Sequence, residues 1–176
     1  MSSIASTAGG EIGFVPLTGA DLPFLLEIRN ECRSVLHDDR AFTVDEARQW
    51  FEMQRPEFWL IQLDGVPIGY FRTSCHSLAN RSMMVGADIH KDYRRRGLGY
   101  RSWGAFLNQQ FVERNLNKVA LEVLATNTRA HALYRKLGFV EEGVKRRDIF
   151  RQSEWVDSIL MAMLRSEWRE REWFRG

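Results

Sequence analysis

The stretch Asp88-Ile-His-Lys-Asp-Tyr-Arg-Arg-Arg-Gly-Leu-Gly99 leaves this chain fewer options than any other. Before it, Met83 to His90 is rich in β-forming residues. After it, Trp103, Phe106, Leu107 and Phe111 recur at the helical period and predict a helix to about Asn115. A strand must therefore pass into a helix through a basic turn punctuated by glycine. Gly97 and Gly99 let the backbone approach a ligand closely, and a helix start offers unpaired N–H groups and the positive end of a dipole. Arg94, Arg95 and Arg96 add fixed positive charge, so the turn suits an anionic, phosphate-bearing ligand. A basic surface turn with no ligand would carry the same residues, and only the surrounding elements can decide between the two.

Those elements are legible on both sides. Ile12, Phe14, Val15 and Leu17 suit a first strand, and Thr18 with Asp21 resembles a helix-capping pair ahead of Leu22, Leu25, Ile28 and Cys32 at helical spacing. Residues 34–42 have no apolar period and read as a loop. Thr43 with Glu46 forms a capping box for a second helix bearing Ala47, Trp50 and Phe51, ending near Pro56. Phe58–Leu63 and Val66–Cys75 flank Asp64-Gly65, a two-residue turn of the favoured hairpin type. Lys118–Ala125 is strand-like. Asn127 is a good N-cap for a short helix with Ala130, Leu133, Tyr134 and Leu137 on one face and Gly138 at its C-terminus. Two last strands are expected over 139–145 and 150–164. The order strand, two helices, three strands, helix, strand, helix, two strands predicts one α+β domain over residues 11–176 behind a loose, small-residue tail at 1–10.

Composition narrows the partners. The 25 basic and 23 acidic side chains leave a net charge of +2, so neither a nucleic acid nor a membrane surface is called for. No run approaches the roughly 18 apolar residues of a membrane span, and nothing at the start reads as a secretion signal. Cys32 and Cys75 lack the spacing of a metal site or a redox pair, so no metal is expected and the cytoplasm is the default location. In the charged C-terminal segment, Trp168, Trp173 and Phe174 leave two readings open, a homodimer contact or packing on the sheet.

Two segments at their proper places resemble the GNAT superfamily of N-acetyltransferases. Arg94-Arg95-Arg96-Gly97-Leu98-Gly99 is similar to that family's Arg/Gln-x-x-Gly-x-Gly/Ala pyrophosphate loop, and Asn127-Thr-Arg-Ala130-His-Ala-Leu133-Tyr134-Arg-Lys-Leu137-Gly138-Phe139 to its Asn-x-x-Ala-x-x-Leu-Tyr-x-x-x-Gly-Phe segment. The resemblance implies a mixed, mostly antiparallel sheet of about seven strands flanked by four helices and splayed between strands 4 and 5. It implies acetyl-CoA as cofactor, with the pyrophosphate on the backbone N–H groups of Arg95 to Tyr100 and the pantetheine arm along Asp88 to His90. Contacts from Asn127 and Ala130 would complete the cofactor site. A backbone N–H near Ile89 or His90 would steady the oxyanion, and Tyr134 would protonate the departing thiolate.

A free alkylamine, with a pKa near 10.4, must lose a proton before it attacks, and Asp88 or Glu122 would serve as base. Each is as readily a structural hydrogen-bond partner, and the alternative for Tyr134 is that it merely packs its helix face. In this family the first two helices, their loop and the last hairpin form the acceptor groove, which here brings forward Arg29, His37, Asp38, Arg40 and Trp59. Ile28-Arg29-Asn30 with Trp50-Phe51 looks like the branch of ribosomal-protein and spermidine acetyltransferases, and also like the branch acting on nucleotide-linked amino sugars. The implied acceptor is a small-molecule amine such as an amino sugar or a polyamine. A protein N-terminus or lysine is the alternative, and an acyl-CoA-binding module the non-enzymatic one.

Overall fold

The structure, a computed structural model, describes residues 10–54 and 57–169. Most of the expected N-terminal tail, the helix stop at Pro56, and Trp173 and Phe174 lie outside the described residues.

Strand β1 (Ile12–Pro16) leads through a single 3₁₀ turn into helix α1 (Leu22–Cys32). The Asp21 carboxylate accepts from the Thr18 N–H (2.8 Å) and hydroxyl (2.7 Å), as the capping pair requires. After the loop comes α2 (Val44–Gln54), closed by the Thr43–Glu46 box, in which the Glu46 carboxylate accepts from the Thr43 N–H at 2.8 Å. Strands β2 (Glu57–Leu63) and β3 (Val66–Ser77) form the expected hairpin, with Asp64 at φ +50° and Gly65 at φ +81°, the signs of a type I′ turn. Strand β4 (Ser82–Ile89) passes through the basic loop into α3 (Leu98–Asn108), which ends in a wider turn over Gln109–Glu113. Strand β5 (Lys118–Leu124), helix α4 (Thr128–Leu137) and strands β6 (Val140–Arg151) and β7 (Glu154–Leu164) complete the pattern.

The strands lie in the order β1-β2-β3-β4-β5-β7-β6, and every neighbouring pair is antiparallel except β4 with β5. That parallel pairing covers Ser82↔Lys118, Met83↔Val119 and Met84↔Ala120 and then stops, although β4 continues to Ile89 and β5 to Leu124. The expected splay is thus present, and it opens toward the loop that follows β4.

Each sheet face carries its own core. On one, Phe71 stacks on Phe106 with ring centroids 4.1 Å apart and meets Trp103 edge-on at 5.0 Å, and Val119, Leu121 and Met163 close the layer beneath α3 and α4. On the other, Leu22, Leu25, Leu26 and Ile28 of α1 pack with Leu60 and Tyr70. No described helix is long and apolar enough to cross a membrane.

Two expectations need correction. The last hairpin turns at Gln152-Ser153 (φ +49° and +66°), not at 146–149. The run Arg146-Arg147-Asp148 lacks alternation and reads as a loop, but it is a bulge within β6, where the Asp157 carboxylate accepts from the Arg147 N–H at 2.7 Å. A fifth, short helix, α5 (Arg165–Arg169), adds to the four expected, and its Trp168 is fully buried against Phe111 rather than presented to a partner.

Truncating the centre of the larger core, Phe71→Ala, is expected to destabilise the fold by about 3–5 kcal/mol in chemical denaturation, because a fully buried ring with three aromatic neighbours leaves a cavity.

Candidate active site

The basic loop earns its shape from its ends. Gly97, the N-cap of α3, sits at φ +75°, a conformation that only glycine adopts without strain. The first intrahelical bond runs from the Arg101 N–H to the Gly97 carbonyl at 3.1 Å, so the amides of Leu98 and Gly99 precede the helical ladder and point out of the helix start. A Cβ placed on Gly99 would meet only Leu133 Cδ2, at 3.7 Å, an ordinary contact. The fold itself does not require glycine there. Its bareness keeps open the floor of a cleft of about 700 Å³ that runs from this loop into the β4–β5 splay.

The loop is tied back to β4 by its own first arginine. Arg94 Nε donates to the Ile89 carbonyl at 2.7 Å, and its guanidinium lies 3.5 Å from Glu31, which also pairs with Lys91 at 2.7 Å. Arg94 therefore shapes the loop through α1 and β4. Arg95, at φ +63°, lines the cleft, while Arg96 lies over the Tyr93 ring at 5.7 Å and does not line it.

Of the residues expected to hold a cofactor, Ile89, Arg94, Arg95, Gly97, Gly99, Tyr100, Asn127, Ala130 and Tyr134 come together around this cleft. Leu98 points into the core, and His90 is buried between Phe24 and Glu27, 3.1 Å from the latter. The His90 N–H is bonded to the Ile68 carbonyl at 2.9 Å. Because successive residues of a strand direct their polar groups to opposite sides, the Ile89 N–H faces the splay instead. Asn127 caps α4 through its side-chain oxygen, which accepts from the Ala130 N–H at 3.2 Å. These are the features a pyrophosphate and an extended pantetheine arm need: outward amides at a helix start, space beside them, and a strand end that β5 does not pair.

Tyr134 projects from α4 into the same cleft, its ring edge-on to Trp103 and Phe139 at 5.3 and 5.8 Å. Burial, reinforced by the Asp88 carboxylate and partly offset by Arg72, raises its hydroxyl well above the usual phenol value. Burial and the same carboxylate also push the Cys32 thiol, at the cleft wall, up to about 11.

The two carboxylates expected as bases differ in their partners. Asp88 is only a tenth exposed and lies 2.5 Å from Arg72 Nη1. Glu122 places Oε2 2.8 Å from Lys145 Nζ and Oε1 3.3 Å from His37 Nε2. Arg72 escaped the sequence reading, although a lone charge among Ile68, Tyr70 and Phe71 is a legible anomaly in a strand. Asp148 and Ser158, which join the His37–Glu122 cluster, carried no such signal.

A second cavity, of about 370 Å³, lies between α1, α2 and the sheet. Of the residues expected in the acceptor groove, Arg29, His37, Asp38 and Arg40 line it. Trp59 does not: strand parity turns it to the opposite face, where Arg114 covers its ring at 4.8 Å and its indole N–H donates to Glu57. Asp38 is claimed by both arginines, Arg40 Nη2 at 2.8 Å and Arg29 Nη2 at 3.5 Å, and its hydrogen bonds to Arg40 hold its carboxyl down at about 2. Among the described residues, the two cavities share Leu36, His37 and Arg72 in their walls.

The profile of the Acetyltransferase (GNAT) family matches residues 22–139. Over 147 residues the chain is 24% identical to the [Ribosomal protein bS18]-alanine N-acetyltransferase of Escherichia coli K12, covering 84% of this chain and 93% of that protein. It is 28% identical over 136 residues to the prophage-derived N-acetyltransferase YokL of Bacillus subtilis, covering 75% and 76%. Among solved structures, the spermidine N-acetyltransferase of Vibrio cholerae, in complex with CoA and spermine, superposes with a TM-score of 0.83 at 22% identity, covering 89% of this chain and 97% of that one.

Replacing Gly99 by valine is expected to leave the melting temperature within a few degrees while abolishing calorimetric binding of acetyl-CoA; unchanged affinity would remove the cleft floor from the cofactor site.

Proposed function

We propose that this chain, which belongs to the GNAT family of acetyltransferases and uses acetyl-CoA as its acetyl donor, transfers the acetyl group directly to a primary amine on a small molecule. The observation that carries this reading is the meeting of the two cavities at Leu36, His37 and Arg72, which brings an acceptor from the α1–α2 side to the open end of the splay.

Acetyl-CoA supplies a thioester carbonyl for the amine to attack and a thiolate to leave. The chain's own contribution is to place and protonate. The N–H groups at the start of α3 hold the phosphates, and the Ile89 N–H, facing the splay, donates to the oxygen that gains charge as the amine adds. Tyr134, kept protonated by burial and by Asp88, gives its proton to the departing sulfur. Asp88, held by Arg72, fixes the electrostatics around that phenol, which leaves the Glu122 cluster to handle the proton of the amine.

The lining of the smaller cavity favours one class of small amine. Trp50, Phe58 and Tyr70 offer flat apolar surfaces, and Asp38, its one carboxylate among the described residues, is already shared by two arginines. A polyamine needs several carboxylates for its charges, whereas an amino sugar or a comparable singly charged amine lays an apolar face on the rings. Cys32 and Cys75 are both free thiols, in keeping with a reducing, cytoplasmic setting.

The acceptor is tested by following CoA thiol release with glucosamine, 2-phenylethylamine, spermidine and an alanine-ended peptide. Turnover is expected with glucosamine or 2-phenylethylamine and least with spermidine; turnover of the peptide alone would transfer the chain to the protein-acetylating reading suggested by the Escherichia coli relative. Tyr134→Phe is expected to lower kcat more than tenfold with acetyl-CoA affinity nearly intact, and equal activity would remove it as the acid.

A further inference from the structure

We infer that His37, on the loop between α1 and α2, is the base that takes the proton of the acceptor amine, with Glu122 and Asp148 behind it as the groups that orient the ring. The inference rests on the acetyl-transfer reading above and assigns the proton to a residue outside both segments of family resemblance.

Position comes first. Of the three side chains common to both cavity walls among the described residues, Leu36 is apolar and Arg72 is a permanent cation paired with Asp88, which leaves the imidazole as the group able to accept a proton there. Glu122 lines the larger cleft but not the acceptor cavity, and both of its oxygens are engaged, one by Lys145 at 2.8 Å and one by His37 at 3.3 Å.

The ring's orientation follows from its partners. Nε2 lies 3.3 Å from Glu122 Oε1 and 3.1 Å from Ser158 Oγ. A carboxylate only accepts, so the proton sits on Nε2 and the lone pair on Nδ1, the arrangement in which a carboxylate fixes the tautomer of a histidine base. The backbone on either side is pinned as well. The buried Arg151 guanidinium donates to the Ser34 carbonyl at 2.8 Å and to the Leu36 carbonyl, so the loop that carries His37 is fastened to the end of β6.

The charges around the ring set its resting state. Burial lowers its pKa below the usual histidine value, and Arg72 and Lys145 act in the same direction. Glu122 and Asp148 oppose them without reversing the result. The ring is therefore neutral at pH 7 and ready to accept.

The step balances. The acceptor attacks as the free amine, its ammonium proton already lost to water; as the nitrogen–carbon bond forms and the carbon–sulfur bond breaks, one of its remaining protons moves to Nδ1 and the Tyr134 proton to sulfur. The imidazolium then releases its Nδ1 proton to water, which restores the Nε2–H tautomer held by Glu122, and water reprotonates Tyr134.

The test uses His37→Gln and His37→Ala in the full chain, at saturating acetyl-CoA, with glucosamine and 2-phenylethylamine as acceptors. A loss of about 10²-fold in kcat is expected, with calorimetric acetyl-CoA affinity within twofold of the parent. The parent's kcat should rise through a midpoint below about 6.5, the ordinary histidine value, and His37→Gln should lose that limb. Added imidazole should restore part of the rate to His37→Ala. A folded His37→Gln protein that keeps more than a third of the rate and the same pH limb overturns the inference. Nitrogen-15 NMR of the parent reads the ring without any acceptor: a neutral Nε2–H tautomer with a midpoint below about 6.5 supports the inference, and an Nδ1–H tautomer or a midpoint above about 7 overturns it. If the parent acetylates neither amine while the NMR result holds, the choice of acceptor has failed and the ring assignment stands.

Discussion

The proposed function depends on a pairing that stops. Strands β4 and β5 are joined over three residue pairs and then part, leaving the last residues of β4 with a hydrogen-bonding edge that no neighbouring strand uses. A sheet edge without a partner strand carries a cost, since its backbone groups must find their hydrogen bonds elsewhere. An extended ligand that pairs with that edge removes the cost. On the proposed reading, the splay is a binding site because the fold leaves it incomplete, and the helix start beyond it supplies amides for the anionic end of the same ligand.

The charged side chains around the splay divide into those that hold geometry and those placed to act. Arg94, Glu31 and Lys91 tie the loop to α1, Arg151 ties the α1–α2 loop to β6, and Arg72 holds Asp88. None of these pairs is remarkable as a source of stability, because the cost of desolvating the charges offsets much of the attraction. Their value is positional: each fixes a backbone segment that borders a cavity. Tyr134 and His37 stand apart. On the proposed reading, Tyr134 has a proton to give to the departing sulfur and His37 a lone pair to take the proton of the amine.

How much could be read from the sequence follows from how local each feature is. The loop at 94–99 and the helix from Asn127 to Gly138 are specified by residues a few positions apart, through a glycine at positive φ, a cap and an apolar face, and both fold as read. The Asp64-Gly65 hairpin is of the same kind. The β4–β5 splay is not, because nothing in Val85 to Ile89 marks where its neighbour departs, and only the family resemblance supplied it. Trp59 was lost to strand parity, since a shift of one residue exchanges the faces. The His37–Ser158 contact joins residues 121 positions apart, and no local pattern announces it. The misplaced last turn has a different cause. A bulge lets a charged run stay within a strand, so the loss of alternation at 146–148 looked like an end to the strand.

The account turns on the claim that the cofactor is held by backbone amides at the splay and the start of α3, and amide hydrogen exchange with and without CoA tests it most directly. Slower exchange on adding CoA is predicted at Ile89 and from Arg95 to Gly99, with little change at His90, whose N–H already bonds Ile68. Protection confined to the other basic stretch, residues 145–147, with none at Ile89 or the start of α3, would contradict it.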